Sequence, residues 1–156
     1  PVIILVQPFL DQNVGMVSRC MLNFGLHELR IVNPECDIHS EAARALAVGS
    51  VEVLNRAKIY SSVEECIADL DIVVATTARK RTANQLLSSP QSVAAEIVNS
   101  EIVGSTGPRA GIMFGRERSG LTNEELALAN RRVSIPTFEH FEVLNLAQAV
   151  NLLSYE

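Results

Sequence analysis

Gly111-Ile112-Met113-Phe114-Gly115-Arg116-Glu117-Arg118-Ser119-Gly120-Leu121-Thr122-Asn123-Glu124-Glu125-Leu126 joins an apolar run to a helix start through a polar turn bounded by glycines. Residues 111–114 read as a strand buried on both faces. Thr122 as N-cap, with Glu125 three residues on, spells a capping box, and the acidic first turn suits the helix dipole. A polar turn at such a junction is how an α/β domain builds a ligand site. A second junction follows at Leu144-Asn145-Leu146-Ala147-Gln148-Ala149-Val150, which opens another helical pattern.

The rest of the chain repeats the alternation. Further strands are predicted at 2–6, 29–32, 72–76 and 133–135, all short and rich in β-branched residues. Helices are predicted at 14–24, ended by Gly25, at 40–47, at 62–70 behind a Ser62 to Glu65 capping box, at 90–99 behind Pro90, and at 145–155. Strands alternating with helices predict one α/β domain with a mostly parallel sheet flanked by helices. The stretches 77–89 and 100–109 are long for loops, and long loops tend to carry function.

With 156 residues the chain is long enough for one proper core, and 47% apolar with 20% charged residues is a globular composition. No apolar run approaches the roughly 18 residues of a membrane span, so no membrane partner is expected. Cys20, Cys36 and Cys66 are odd in number and far apart, which points to a reducing cytosol and a cytoplasmic protein. The net charge of −5 argues against a surface that grips nucleic acid everywhere. Local clusters would have to do so: Arg79-Lys80-Arg81, Arg116 with Arg118, or Arg131-Arg132, the last pair reading more simply as a solvated strand end.

Several chemistries lack their signatures. There is no G-x-x-x-x-G-K-[ST], and no G-x-G-x-x-G after the first strand. His27, His39 and His140 are isolated, and Cys36 with His39 is a lone soft pair, so no metal is expected. Ser119 stands in Arg-Ser-Gly rather than in a nucleophile elbow. What remains is Asn, Arg, Gly and Glu gathered at strand-to-helix junctions. Asn13-Val14-Gly15-Met16-Val17-Ser18-Arg19 follows the first strand. Arg19 there either pairs with a carboxylate such as Glu117 or offers its planar fork to a substrate phosphate, and spacing leaves both open.

Asn13-x-Gly15-x-x-x-Arg19, Phe114-Gly115-Arg116-Glu117-Arg118-x-Gly120-Leu121 and Leu144-Asn145-Leu146-Ala147-x-Ala149-Val150 resemble the three motifs of SpoU/TrmH-type RNA 2′-O-ribose methyltransferases of the SPOUT superfamily. Thr76-Thr77-Ala78-Arg79-x-Arg81 and the unbroken second motif are most similar to the TrmJ-like branch, which methylates tRNA at the start of the anticodon loop. The resemblance covers essentially the whole chain, residues 1–156, as a single methyltransferase domain. It implies a C-terminal segment threaded into a deep trefoil knot, S-adenosylmethionine as cofactor, a homodimer, tRNA as substrate, and a C-terminal helical extension not found within these residues. A ribosomal RNA enzyme of the same family, or a catalytically silent RNA-binding knot domain, are the alternative expectations.

Carried over residue by residue, the resemblance implies a cofactor pocket of Thr76, Thr77, Ala78, Gly115, Ile135, Glu142, Val143 and Leu144. It implies Arg19 as the central catalytic residue, with Asn13, Glu117 and Asn145 around it, and RNA contacts from Arg19, Arg79, Arg81 and Arg116. A guanidinium with a pKa above about 12 is a poor base, so Arg19 is expected to clamp a phosphate beside the target ribose. Val143 departs from the pattern: the family commonly carries Ser before the Leu-Asn of the third motif, and its hydroxyl contact is lost here.

Overall fold

The computed structural model describes residues 1–78, 87–101 and 107–156. The described strands are β1 (Val2–Val6), β2 (Leu29–Val32), β3 (Lys58–Tyr60), β4 (Ile72–Thr76), β5 (Ala110–Phe114) and β6 (Arg131–Val133). They form a six-stranded sheet in the order β3-β2-β1-β5-β4-β6, and every pair is parallel. The helices are α1 (Asp11–Asn23), α2 (Glu41–Leu46), α3 (Val51–Asn55), α4 (Val63–Ile67), α5 (Pro90–Glu101), α6 (Asn123–Ala127) and α7 (Leu146–Tyr155).

The period-two geometry of a strand sorts β1 between two cores. Ile3 and Leu5 face a core shared with α1, α2, α3, α5 and α7. Val2, Ile4 and Val6 face the opposite one, closed by Val63 and Cys66 of α4 and Leu126 of α6. Helices thus cover both faces, which is why the central strands read as unbroken apolar runs. Each fully buried Ile, Leu or Phe contributes roughly 1.5–3 kcal/mol of transfer free energy.

Buried polar groups interrupt this interior, Asn13, Ser18, Arg30 and Ser50 among them. Ser18 donates to the Gly15 carbonyl at 2.7 Å and lies 2.9 Å from the Ser50 hydroxyl, linking α1 to the start of α3. Arg30 of β2 is 1% exposed. It is bound by Glu28 at 2.7 Å and Asp69 at 2.5 Å and donates to the Cys66 carbonyl at 2.5 Å.

The sequence expectation of a parallel α/β sheet holds, with differences in individual elements. β3 and α3 carry no strong periodic signal: Lys58 and Ile59 of the edge strand are exposed, and α3 has only 5 residues. β6 begins two residues before its predicted start and ends at Val133. Arg131 and Arg132 are admitted because β6 lies at the sheet edge, where charged side chains reach solvent. The three cysteines are free thiols. Among the described residues, no helix is long and apolar enough to cross a membrane, and no group of three or more His, Cys, Asp or Glu could hold a metal ion.

Candidate functional site

A cavity of about 340 Å³ lies beyond the carboxyl ends of β4, β5 and β6. In open α/β sheets that is where ligands bind, near the point at which strand order reverses; here β5 is inserted between β1 and β4. Four separate segments build the walls: residues 76–78 after β4, residues 114–121 after β5, Val133 and Ile135 at and after β6, and residues 142–144 leading into α7. All of Thr76, Thr77, Ala78, Gly115, Ile135, Glu142, Val143 and Leu144 line it. Phe114, Leu121, Val133, Leu146 and Ala149 add apolar wall that motif reading did not single out, because these residues are indistinguishable from core in sequence.

Local chemistry explains the shape. Thr76 Oγ1 donates to the Met113 carbonyl at 3.0 Å, tying the ends of β4 and β5 together. Gly115 is small for a reason internal to the turn. A Cβ there would stand 2.2 Å from Gly120 C and 2.3 Å from Leu121 N, so the turn folds back onto bare backbone. Gly120 closes the turn at φ +70, in the left-handed region that glycine adopts freely. Thr122 accepts from Glu125 N at 3.2 Å and Glu125 accepts from Thr122 N at 2.8 Å, the expected capping box.

Asn13, Glu117 and Asn145, one from each motif, meet in a single hydrogen-bonded relay. The N-cap of α1 is Leu10, whose side chain caps nothing. Glu117 instead anchors the entry to α1 from across the chain, taking Phe9 N at 3.0 Å, Leu10 N at 3.1 Å and Asn13 Nδ2 at 3.0 Å. Asn13, 3% exposed, accepts at Oδ1 from Asn145 Nδ2 at 2.9 Å. Asn145 Oδ1 then accepts from Ala147 N at 2.9 Å and Gln148 N at 3.4 Å, capping α7. The direction of every amide follows from one end, because an ionised carboxylate can only accept. Glu117 therefore organises helix starts, and its carboxylate is engaged there rather than by Arg19.

The arginines fall into distinct environments. Arg19 is exposed on α1 and does not line the cavity. Arg116 is a structural residue here: it grips Glu125 with both guanidinium ends at 3.0 and 2.9 Å and also donates to Gln7 Oε1. Gln7 sits at φ 48, a strained turn conformation that ends β1 beneath this contact. Burial pushes the Glu125 carboxyl up, but the Arg116 guanidinium and the Thr122 N–H outweigh it and hold the group below its ordinary value. Arg118 is exposed, lines the cavity and lies over the Phe9 ring, 4.9 Å from guanidinium carbon to ring centre. Arg131 pairs with Glu96 at 2.8 Å, and Arg132 donates to the Leu126 carbonyl at 3.3 Å, in keeping with a strand end. Arg79 and Arg81 lie outside the described residues.

Comparison with known proteins agrees with this architecture. The SpoU rRNA Methylase family matches residues 1–155. A tRNA (cytidine-2′-O-)-methyltransferase TrmJ of Methanocaldococcus jannaschii is 41% identical over 99% of this chain and 65% of its own length. A tRNA (cytidine/uridine-2′-O-)-methyltransferase TrmJ of Photorhabdus laumondii is 39% identical over 99% of this chain and 62% of its own length. The chain thus spans less than two thirds of the length of these curated relatives. Among solved structures, TrmJ from Z. mobilis superposes with a TM-score of 0.90 at 41% identity, covering 99% of this chain and 66% of that one. A probable methyltransferase from Bordetella pertussis gives a TM-score of 0.90 at 30% identity, covering 98% of this chain and 91% of that one. With its sequence matched almost end to end and its fold shared with these methylases, the chain belongs to the SpoU rRNA Methylase family.

Proposed function

We propose that this domain is the catalytic part of an S-adenosylmethionine-dependent RNA 2′-O-ribose methyltransferase acting on a cytidine or uridine in the tRNA anticodon loop. The observation that carries the reading is the convergence of the residues after β4, after β5, after β6 and before α7 on one cavity. Its volume of about 340 Å³ falls in the range of small-molecule sites, and its mixture of apolar walls and polar turn backbone suits a nucleoside. The TrmJ relatives, named as tRNA cytidine or cytidine/uridine 2′-O-methyltransferases, support the substrate. A solved structure described as concerning 2′-OH methylation of C/U34 on tRNA shares the fold at a TM-score of 0.74 and 23% identity.

S-adenosylmethionine supplies an electrophilic sulfonium methyl. In our reading Thr76, Thr77, Ala78, Gly115 and Glu142 to Leu144 hold the cofactor by backbone groups, while Ile135 and Leu144 cover its apolar faces. Arg19, Arg79 and Arg81 draw the RNA in. Arg19 clamps the phosphate beside the target ribose and so fixes the position of its 2′-hydroxyl. Asn13, Glu117 and Asn145 position rather than react, since all of their hydrogen-bonding groups named above are used on one another and on helix starts. The reading includes a C-terminal trefoil knot, a cytoplasmic setting and a homodimer formed through α1 and α7. The exposed apolar residues Phe24, Leu152 and Tyr155 support such a pairing; the Phe24 and Tyr155 rings meet at 6.1 Å.

The test is methyl transfer by the full-length protein to unmodified tRNA and to ribosomal RNA, with labelled cofactor and mapping of the product nucleotide. A 2′-O-methyl group in the anticodon loop is the expected result. A product on ribosomal RNA alone would reassign the substrate, and no product on either RNA would leave a silent RNA-binding domain.

A further inference from the structure

Motif reading assigned the RNA contact of the β5–α6 turn to Arg116, yet Arg116 is held by Glu125 and Gln7. Its guanidinium fork is already matched to a carboxylate whose side chain is 14% exposed, and pulling it away would strand that charge. Two residues on, the second arginine of the turn shares the cavity wall with Arg116 but differs in exposure and in partner. Arg118 is exposed, faces the cavity, and among the described residues is paired with no carboxylate. Its guanidinium rests on Phe9 at 4.9 Å.

A guanidinium held over an aromatic face by cation–π attraction spends none of its N–H donors on a carboxylate. The backbone that carries the Phe9 ring is anchored, although the residue itself is 43% exposed. The Phe9 backbone N–H donates to Glu117 at 3.0 Å, so the relay that sets α1 also sets the platform under Arg118. A planar cation of this kind at the mouth of a cavity is matched to a phosphate oxygen pair.

We infer that Arg118, braced on Phe9, is a substrate-binding residue that takes a backbone phosphate of the RNA at the cavity mouth, while Arg116 keeps the turn folded. Phe9 acts through Arg118 and is a positioning residue. This inference rests on the RNA methyltransferase reading above and adds to it the residue that seats the strand.

The experiment measures, in the full-length protein, cofactor affinity, methyl-transfer kinetics, and tRNA affinity across a salt series, for wild type, Arg118→Ala, Arg118→Lys, Phe9→Leu and Arg56→Ala. Arg56 is a remote exposed arginine paired with Glu52 and controls for loss of one positive charge. Removing one phosphate contact should flatten the slope of log K against log salt by about 0.7–0.9. Arg118→Ala should do so, weaken tRNA about tenfold, raise KM more than it lowers kcat, and leave cofactor affinity unchanged. Arg118→Lys should restore the slope but only part of the affinity. Phe9→Leu should keep the slope and lose less affinity than Arg118→Ala.

A slope equal to that of Arg56→Ala would overturn the inference. So would weakened cofactor binding with an unchanged slope, which would assign Arg118 to the cofactor's carboxylate instead. Wild-type protein that transfers no methyl group to either RNA would overturn the underlying reading, and the inference with it.

Discussion

Asn145 does two things with one amide: its oxygen caps α7, and its nitrogen donates to Asn13. Asn145→Asp separates them. The carboxylate keeps the cap acceptor and suits the helix dipole, but it brings no donor to Asn13 Oδ1. Asn13 cannot turn its amide over in response without facing Glu117 oxygen to oxygen. The expected result is a loss of about 1–3 kcal/mol in denaturant unfolding, despite the retained cap. Arg19→Lys makes the opposite separation, keeping charge and losing the planar fork. Turnover should fall with cofactor affinity unchanged, and equal kcat values would refute the phosphate-clamp role. At this scale much of the site was legible, because Gly115, Asn13, Glu117 and Asn145 stand in motifs with fixed spacing. Which partner each one takes was not legible, since Glu117 finds its partners 104 to 108 residues away. Arg118 shows the same limit. Nothing in the sequence near Phe9 says that a guanidinium will lie on it.

Helix starts divide into those capped by a local side chain and those, α1 and α3, that are not. α4, α6 and α7 carry Ser62, Thr122 and Asn145, each accepting from the backbone of its own first turn. These were readable, because an N-cap and its acceptor lie within one helical turn of each other in sequence. α1 has Leu10 at its N-cap and relies on Glu117. Its predicted start fell three residues late because no local cap marks it. α1 also depends on contact with α2. A Cβ on Gly15 would stand 2.1 Å from the Ala43 carbonyl oxygen, so the approach that glycine permits is that of α2. Gly15→Ala should force the helices apart and lower the unfolding midpoint, read by calorimetry, at a cost of roughly 1–3 kcal/mol. The buried strands β1, β2, β4 and β5 were legible because their faces are almost wholly apolar, Arg30 of β2 being the exception. β3 and α3 were not, since short elements at the edge bury too little to leave a pattern.

At the scale of the whole molecule, a four-residue ionic network lies at the end of the sheet opposite the cavity. Glu28, Arg30, Asp69 and Arg109 form one network there. Hydrogen bonding from Arg30 holds the Asp69 carboxyl well below its ordinary 3.8. Burial raises Glu28, but Arg30 and Arg109 outweigh it and bring it below 4.5. Depressed folded-state values mean that the unfolded chain takes up protons first. The network's contribution is therefore complete above about pH 4.5 and declines as pH falls through the lower folded values. Thermal unfolding midpoints should hold between about pH 7 and 5 and drop below about pH 4. Arg30→Met should shrink that acid-side drop, and an unchanged drop would remove the network as its cause. The relay at the other end has a consequence in time. It joins residues separated by 132 positions in the chain, so it cannot form until nearly all of the domain has been synthesised, and it closes a very long loop. Nascent chains ending before Glu117 should leave the Phe9 and Leu10 N–H groups open to hydrogen exchange, whereas in the finished domain the starts of α1 and α7 should exchange as one cooperative unit.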